Sequence, residues 1–61
     1  MENKIRVARA ERRMTQQQLA DQTGVSRQTI NAIESGKFVP STIVAMKIAR
    51  VFERPVEEIF L

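Results

Sequence analysis

Between Thr15 and Gly36 the chain reads Thr-Gln-Gln-Gln-Leu-Ala-Asp-Gln-Thr-Gly-Val-Ser-Arg-Gln-Thr-Ile-Asn-Ala-Ile-Glu-Ser-Gly, and this stretch constrains the fold more than any other. It carries two helix start signals. Thr15 with Gln18 three positions on is a capping box: the hydroxyl accepts an orphan helix N–H and the glutamine reaches back. Met14 and Leu19 sit around that cap as a hydrophobic staple, and Ser26 repeats the arrangement with Val25 and Ile30 as its staple pair. Between them stands Gly24, where a left-handed backbone costs little. Ala20 supplies the small side chain that two crossing helices need for close approach. The stretch predicts two short helices, 16–23 and 27–35, joined by a tight turn.

Such a pair buries only one side, so the flanking segments must close a core around it. Residues 3–13 predict a first helix with Asn3 as its N-cap and Ile5 and Ala8 on a narrow apolar stripe. Gly36 stops the third helix as a residue just past its end. Phe38 and Val39 in the following loop either cover the core or stand exposed at a subunit seam. Ser41 caps a fourth helix, roughly 42–53, in which Val44, Ala45, Ile48, Ala49 and Phe52 share one face, with Met46 on its edge. Pro55 breaks the chain again, and Val56 to Leu61 form a short last helix with Glu57 and Glu58 favouring its positive end. The predicted fold is all-α: a compact bundle of about five short helices in a single domain, residues 1–61.

At 61 residues the chain is near the lower limit for independent folding. It has no cysteine and no histidine, which rules out disulfide staples, thiol or imidazole catalysis, and Cys- or His-based metal sites. Glu57 and Glu58 do not make a catalytic carboxylate pair, because neighbours on a helix point about 100° apart. No enzyme activity and no cofactor are expected. No apolar run reaches the ~20 residues that span a membrane, and no secretory leader is visible, so a cytoplasmic protein is expected.

The formal net charge is +3, and it is unevenly placed. Residues 1–40 hold seven basic and four acidic residues, whereas 41–61 hold three of each, so the excess lies with the helix pair. Such a bias suits a polyanion. On the third helix Ile30 and Ile33 share one face, while Arg27, Asn31 and Ser35 share the opposite one, flanked by Gln28 and Ala32. Arginine can pair bidentately with guanine, and glutamine or asparagine with adenine. Ala32 either touches a thymine methyl or fills space. A solvated polar face would look much the same; its place directly after a capped, glycine-turned helix favours base contact, as in a DNA-reading helix-turn-helix. Gln16, first residue of the second helix, stands where free backbone N–H groups suit a phosphate and could add a side-chain donor. Lys37 suits a phosphate too.

The runs Met-Thr-Gln-Gln-Gln-Leu-Ala, Gly-Val-Ser-Arg-Gln-Thr-Ile-Asn-Ala-Ile-Glu-Ser-Gly-Lys, Pro-Ser and Lys-Ile-Ala-Arg-Val-Phe stand in order across nearly the whole chain. In these it resembles the Cro/repressor-type (XRE) helix-turn-helix family, in particular its small stand-alone members. The resemblance implies a lambda-repressor-like bundle with the helix from Arg27 in the major groove. It implies a phosphate contact at Gln16 and base or backbone contacts at Arg27, Gln28, Asn31, Ser35 and Lys37. It also implies an internal ion pair between Arg9 and Glu34, and a symmetric dimer through Val39, Val56 and Phe60. Four features depart from the family pattern. Arg13 and Glu53 stand where glycine is frequent, Ala8 replaces a usual leucine, and Thr42-Ile43 replaces a common leucine-acid pair.

The sequence therefore predicts a DNA-binding transcriptional regulator, a repressor in the first instance, bound as a homodimer to a pseudo-palindromic operator in double-stranded DNA. Its expected DNA contacts are Gln16, Gln17, Ser26, Arg27, Gln28, Thr29, Asn31, Ser35 and Lys37. No small-molecule ligand and no membrane partner are expected. The alternative is an antitoxin-like interaction module on the same fold, binding a toxin as well as DNA; exposed Val7 and Ile43 are its only hint.

Overall fold

Capping decides where the helices begin. The computed structural model, which describes residues 2–61, contains α1 (Ile5–Glu11), α2 (Gln16–Thr23), α3 (Arg27–Glu34), α4 (Thr42–Val51) and α5 (Val56–Phe60). The Thr15 hydroxyl accepts the Gln18 N–H at 3.0 Å, and the Thr15 N–H donates to Gln18 Oε1 at 2.8 Å, completing the capping box. Ser26 accepts the Thr29 N–H at 3.1 Å, but the box is not repeated. Threonine at that position is too short to reach back to the backbone; its hydroxyl pairs instead with the Ser26 hydroxyl at 2.8 Å. Ser41 caps α4 through the Val44 N–H. Asn3 is not the geometric cap of α1, a position held by Lys4. Its side chain still accepts the Ile5 N–H at 3.2 Å and donates to the Ile33 carbonyl at 2.7 Å, joining the start of α1 to the end of α3.

Left-handed residues decide where four helices stop. Gly24 (φ 77°) and Gly36 (φ 79°) do so as the sequence predicts, and Arg13 (φ 52°) and Glu53 (φ 54°) take the same conformation without being glycine. The Arg13 N–H donates to Ala10 and the Met14 N–H to Arg9; the Glu53 N–H donates to Arg50 and the Arg54 N–H to Ala49. Both ends are therefore full Schellman turns. This is why α1 ends at Glu11 and α4 at Val51, each two residues short of the boundary the spacing predicts.

Beneath these turns one core gathers residues from every helix: Ile5 and Ala8; Leu19 and Ala20; Ile30 and Ile33; Ala45, Ile48, Ala49 and Phe52; Ile59 and Phe60. Helix α2 packs on both α3 and α4, and α5 packs on α4. Thr23, buried among them, satisfies its hydroxyl on the Leu19 carbonyl at 2.9 Å. The Lys4 N–H donates to the Ile59 carbonyl at 2.8 Å, closing α5 against the start of α1. Met46 is exposed rather than on the edge of the core, and Phe38 and Val39 are exposed as well, so the loop does not cover the core.

A side chain in the left-handed region costs about 1–2 kcal/mol, and glycine returns part of that gain as chain entropy. Arg13→Gly is expected to stabilise the fold by about 0.5–1 kcal/mol, read as a higher midpoint in urea unfolding. Gly24→Ala is expected to do the reverse by about 1 kcal/mol through backbone strain alone, since a Cβ there would meet nothing within 4 Å.

Candidate nucleic-acid interface

The helix pair is fastened by a carboxylate at the end of α3. The Glu34 side chain is fully buried (0% exposed), and the Arg9 guanidinium lies on it in a fork, Nε to Oε2 at 2.5 Å and Nη2 to Oε1 at 3.0 Å. The remaining Arg9 nitrogen, Nη1, donates to the Met14 carbonyl at 2.8 Å, just before the α2 cap. One cation thus joins α1, the entry to α2 and the end of α3. Hydrogen bonding to Glu34 raises the pKa of Arg9 above its ordinary value, against the opposing effect of its own burial. A raised arginine pKa means this contribution is present throughout the neutral range and is lost only on strong alkalinisation. Arg6 approaches Glu34 Oε1 at 3.6 Å but is 73% exposed, so water screens it and it adds little.

Arg12 is committed as well. It donates to the last carbonyls of α4, Phe52 at 2.8 Å and Val51 at 3.2 Å, and lies 5.9 Å from the Phe52 ring centre. Two of the four arginines in and just after α1 therefore hold the fold together and are not spare charge for a polyanion. Nothing in the local sequence marks the Arg12 role, because its partners lie some forty positions away.

The outer face of α3 is arranged differently. Arg27 and Gln28 are exposed in its first turn, and Lys37 is exposed just beyond its end. Among the described residues, none of these three side chains is held by a hydrogen bond or an ion pair. Gln28 and Lys37, with Thr29, Ala32 and Phe38, line one shallow depression. Half-buried Ala32 supports its floor. The other expected contacts are tied down. Ser26 and Thr29 share their hydroxyls at the cap, Ser35 donates back to the Ala32 carbonyl at 3.1 Å, and Gln17 donates to Asp21 at 2.8 Å.

Gln16 is held as well. Its Nε2 donates to Glu34 Oε1 at 3.3 Å and to Asn31 Oδ1 at 3.1 Å, so both of its N–H groups face protein. In the free protein these contacts hold its side-chain donor, and the start of α2 also offers an anion its free backbone N–H groups. The link spans 15 and 18 positions and has no local signature in the sequence.

Val39, Val56 and Phe60, which the family resemblance puts at a subunit seam, are brought together in one open apolar groove with Pro40, Ala45 and Met46. Val39 is 62% exposed and Val56 half-buried, but Phe60 is only 6% exposed and already belongs to the core. Ile59 and Phe60, at the end of a five-residue helix, turn inward, so Phe60 forms the floor of the groove and Val39 and Val56 stand at its exposed rim. No helix among the described residues is long and apolar enough to cross a membrane.

Compared with known proteins, residues 5–59 match the sequence profile described as Helix-turn-helix. An uncharacterized HTH-type transcriptional regulator of Methanocaldococcus jannaschii is 51% identical over 61 residues, covering 100% of this chain and 92% of the relative. One of Bacillus subtilis is 42% identical over 60 residues, covering 98% and 91%. A crystal structure of a proposed DNA-binding protein from Bacteroides fragilis superposes with a TM-score of 0.84 at 33% identity, covering 95% of this chain and 94% of that one.

Removing one partner of a buried ion pair strands the other. Glu34→Ala is expected to destabilise the fold by about 3 kcal/mol, measured by urea unfolding. Removing the exposed Arg54–Glu11 pair (2.7 Å) with Glu11→Ala is expected to cost less than about 1 kcal/mol.

Proposed function

The chain belongs to the XRE-type helix-turn-helix family, and on that premise we propose that it is a DNA-binding transcriptional regulator that lays α3 in the major groove of a pseudo-palindromic operator. The observation that carries this reading is the contrast among the cations. Arg9 and Arg12 are committed to contacts within the fold, while Arg27 and Gln28 stand exposed and unpaired on α3, with Lys37 exposed just beyond its end. Arg27 can hold guanine bidentately and Gln28 can pair with adenine, each good contact contributing about 1–3 kcal/mol of discrimination. Lys37 and the N–H groups that open α2 are suited to phosphates, which position the protein without reading sequence. The relatives named as HTH-type transcriptional regulators support the same conclusion.

On this reading the protein acts as a homodimer, with two reading helices spaced by about 34 Å, one turn of the duplex. The groove that holds Val39 and Val56 supplies the two-fold seam. Operator occupancy then blocks transcription by exclusion, so the regulator is a repressor. No catalytic step enters this account.

DNA selected from a random pool tests it. Arg27→Ala and Gln28→Ala are each expected to weaken binding of the selected site by about tenfold or more, with an unchanged melting temperature because both side chains are free of the core. Unaltered affinity in both variants would remove α3 from the interface. Val56→Asp is expected to shift sedimentation from dimer to monomer and to weaken operator binding with it; a full-strength dimer would place the seam elsewhere.

A further inference from the structure

Resting on that DNA-binding reading, we propose that Gln16 is a positioning residue that carries the polarity of the buried Glu34 carboxylate to Asn31, and so fixes which base Asn31 accepts. The chemistry of the partners settles each amide in turn. A carboxylate only accepts hydrogen bonds, so the Gln16 atom 3.3 Å from Glu34 Oε1 is the nitrogen. That same nitrogen lies 3.1 Å from the Asn31 amide, so the atom it meets there is the oxygen. Turning either amide over would set two NH2 groups against each other or an oxygen against the carboxylate. Glu34 cannot yield to relieve this, because it is fully buried and forked by Arg9.

Asn31 therefore has its oxygen drawn toward α2 and turns its NH2 group, with two donors, toward whatever lies against α3. Guanine presents two acceptors in the major groove, N7 and O6, which suit such a group. Adenine presents one acceptor and one donor, and pairing with both needs an amide that offers its oxygen as well. Asn31 thus selects guanine, contrary to the adenine pairing that asparagine alone suggests. Gln28, whose amide has no such tie, keeps its freedom to take either orientation.

Two measurements on the full chain test this, one without DNA. In the free protein, the side-chain amide protons of Gln16 are expected to exchange with solvent at least about threefold more slowly than those of Gln22, an exposed glutamine of the same helix. Equal rates would overturn the tie, whatever the protein binds. Random-pool selection is then run on wild type, Asn31→Ala and Gln16→Leu, each with its melting temperature. At the base pair whose preference disappears in Asn31→Ala, wild type is expected to favour guanine over adenine by about tenfold or more. Gln16→Leu is expected to cut that ratio below about threefold, leaving preferences elsewhere in the site intact, which a merely structural loss would not do. Asn31→Asp, which keeps the acceptor and loses the donors, is expected to abolish the guanine preference. A wild-type preference for adenine, an undiminished ratio in Gln16→Leu, or no position altered by Asn31→Ala would each overturn the assignment. A protected Gln16 amide in a protein that selects no DNA would overturn the DNA-binding reading, and the base preference with it.

Discussion

A buried carboxylate at the end of α3 is the contact on which the arrangement depends. Taking Glu34 out of water costs several kcal/mol on its own, and that cost is offset only because Arg9 meets it with two parallel hydrogen bonds. The geometry this demands is narrow. Arg9 must come from α1, its third nitrogen must reach the Met14 carbonyl before α2, and Glu34 must face inward from the last turn of α3. A pair of helices that could slide over a small apolar patch is pinned at one angle. Hydrophobic burial is nearly indifferent to such sliding, whereas a forked ion pair is not.

The same economy appears elsewhere in a chain too short for a large core. Two side chains flanking α1 each do two things. Asn3 serves the start of α1 and the end of α3. Arg12 covers the last carbonyls of α4 while its guanidinium lies over Phe52. Ala8 brings only a small side chain to the core, and these polar ties add to what holds α1 in place. Part of the basic character of the first half of the sequence is thus structural, in Arg9 and Arg12, while Arg27 and Lys37 stay exposed on α3 and in the turn after it.

Much of the fold could be read along the chain because capping is local. Thr15, Ser26 and Ser41 each meet an N–H three residues on, and Gly24 and Gly36 take the left-handed conformation that only their own backbone needs. The ends of α1 and α4 were less legible. Arg13 and Glu53 carry no glycine-like preference for the left-handed region, and they adopt it within Schellman turns whose hydrogen bonds close the two helices. The burial of Phe60 was not legible either: apolarity in a five-residue helix does not say which way a side chain points, and packing turned it inward to floor the groove.

The sequence by itself determined five short helices, most of their start points, the apolar faces they share and the exposure of Arg27 and Gln28, since all of these follow from neighbours within a turn or two. Only the tertiary structure decided which polar groups are spent and which are free. Gln16, Asn31 and Glu34 meet across 15 and 18 positions, and Arg12 meets α4 across about forty. Hydrogen bonds are short-ranged and directional, so their partners exist only once packing has brought α1, α2, α3 and α4 together. That is why a polar face looks uniform along the chain, and why in the folded protein some of its residues turn out to hold others in place.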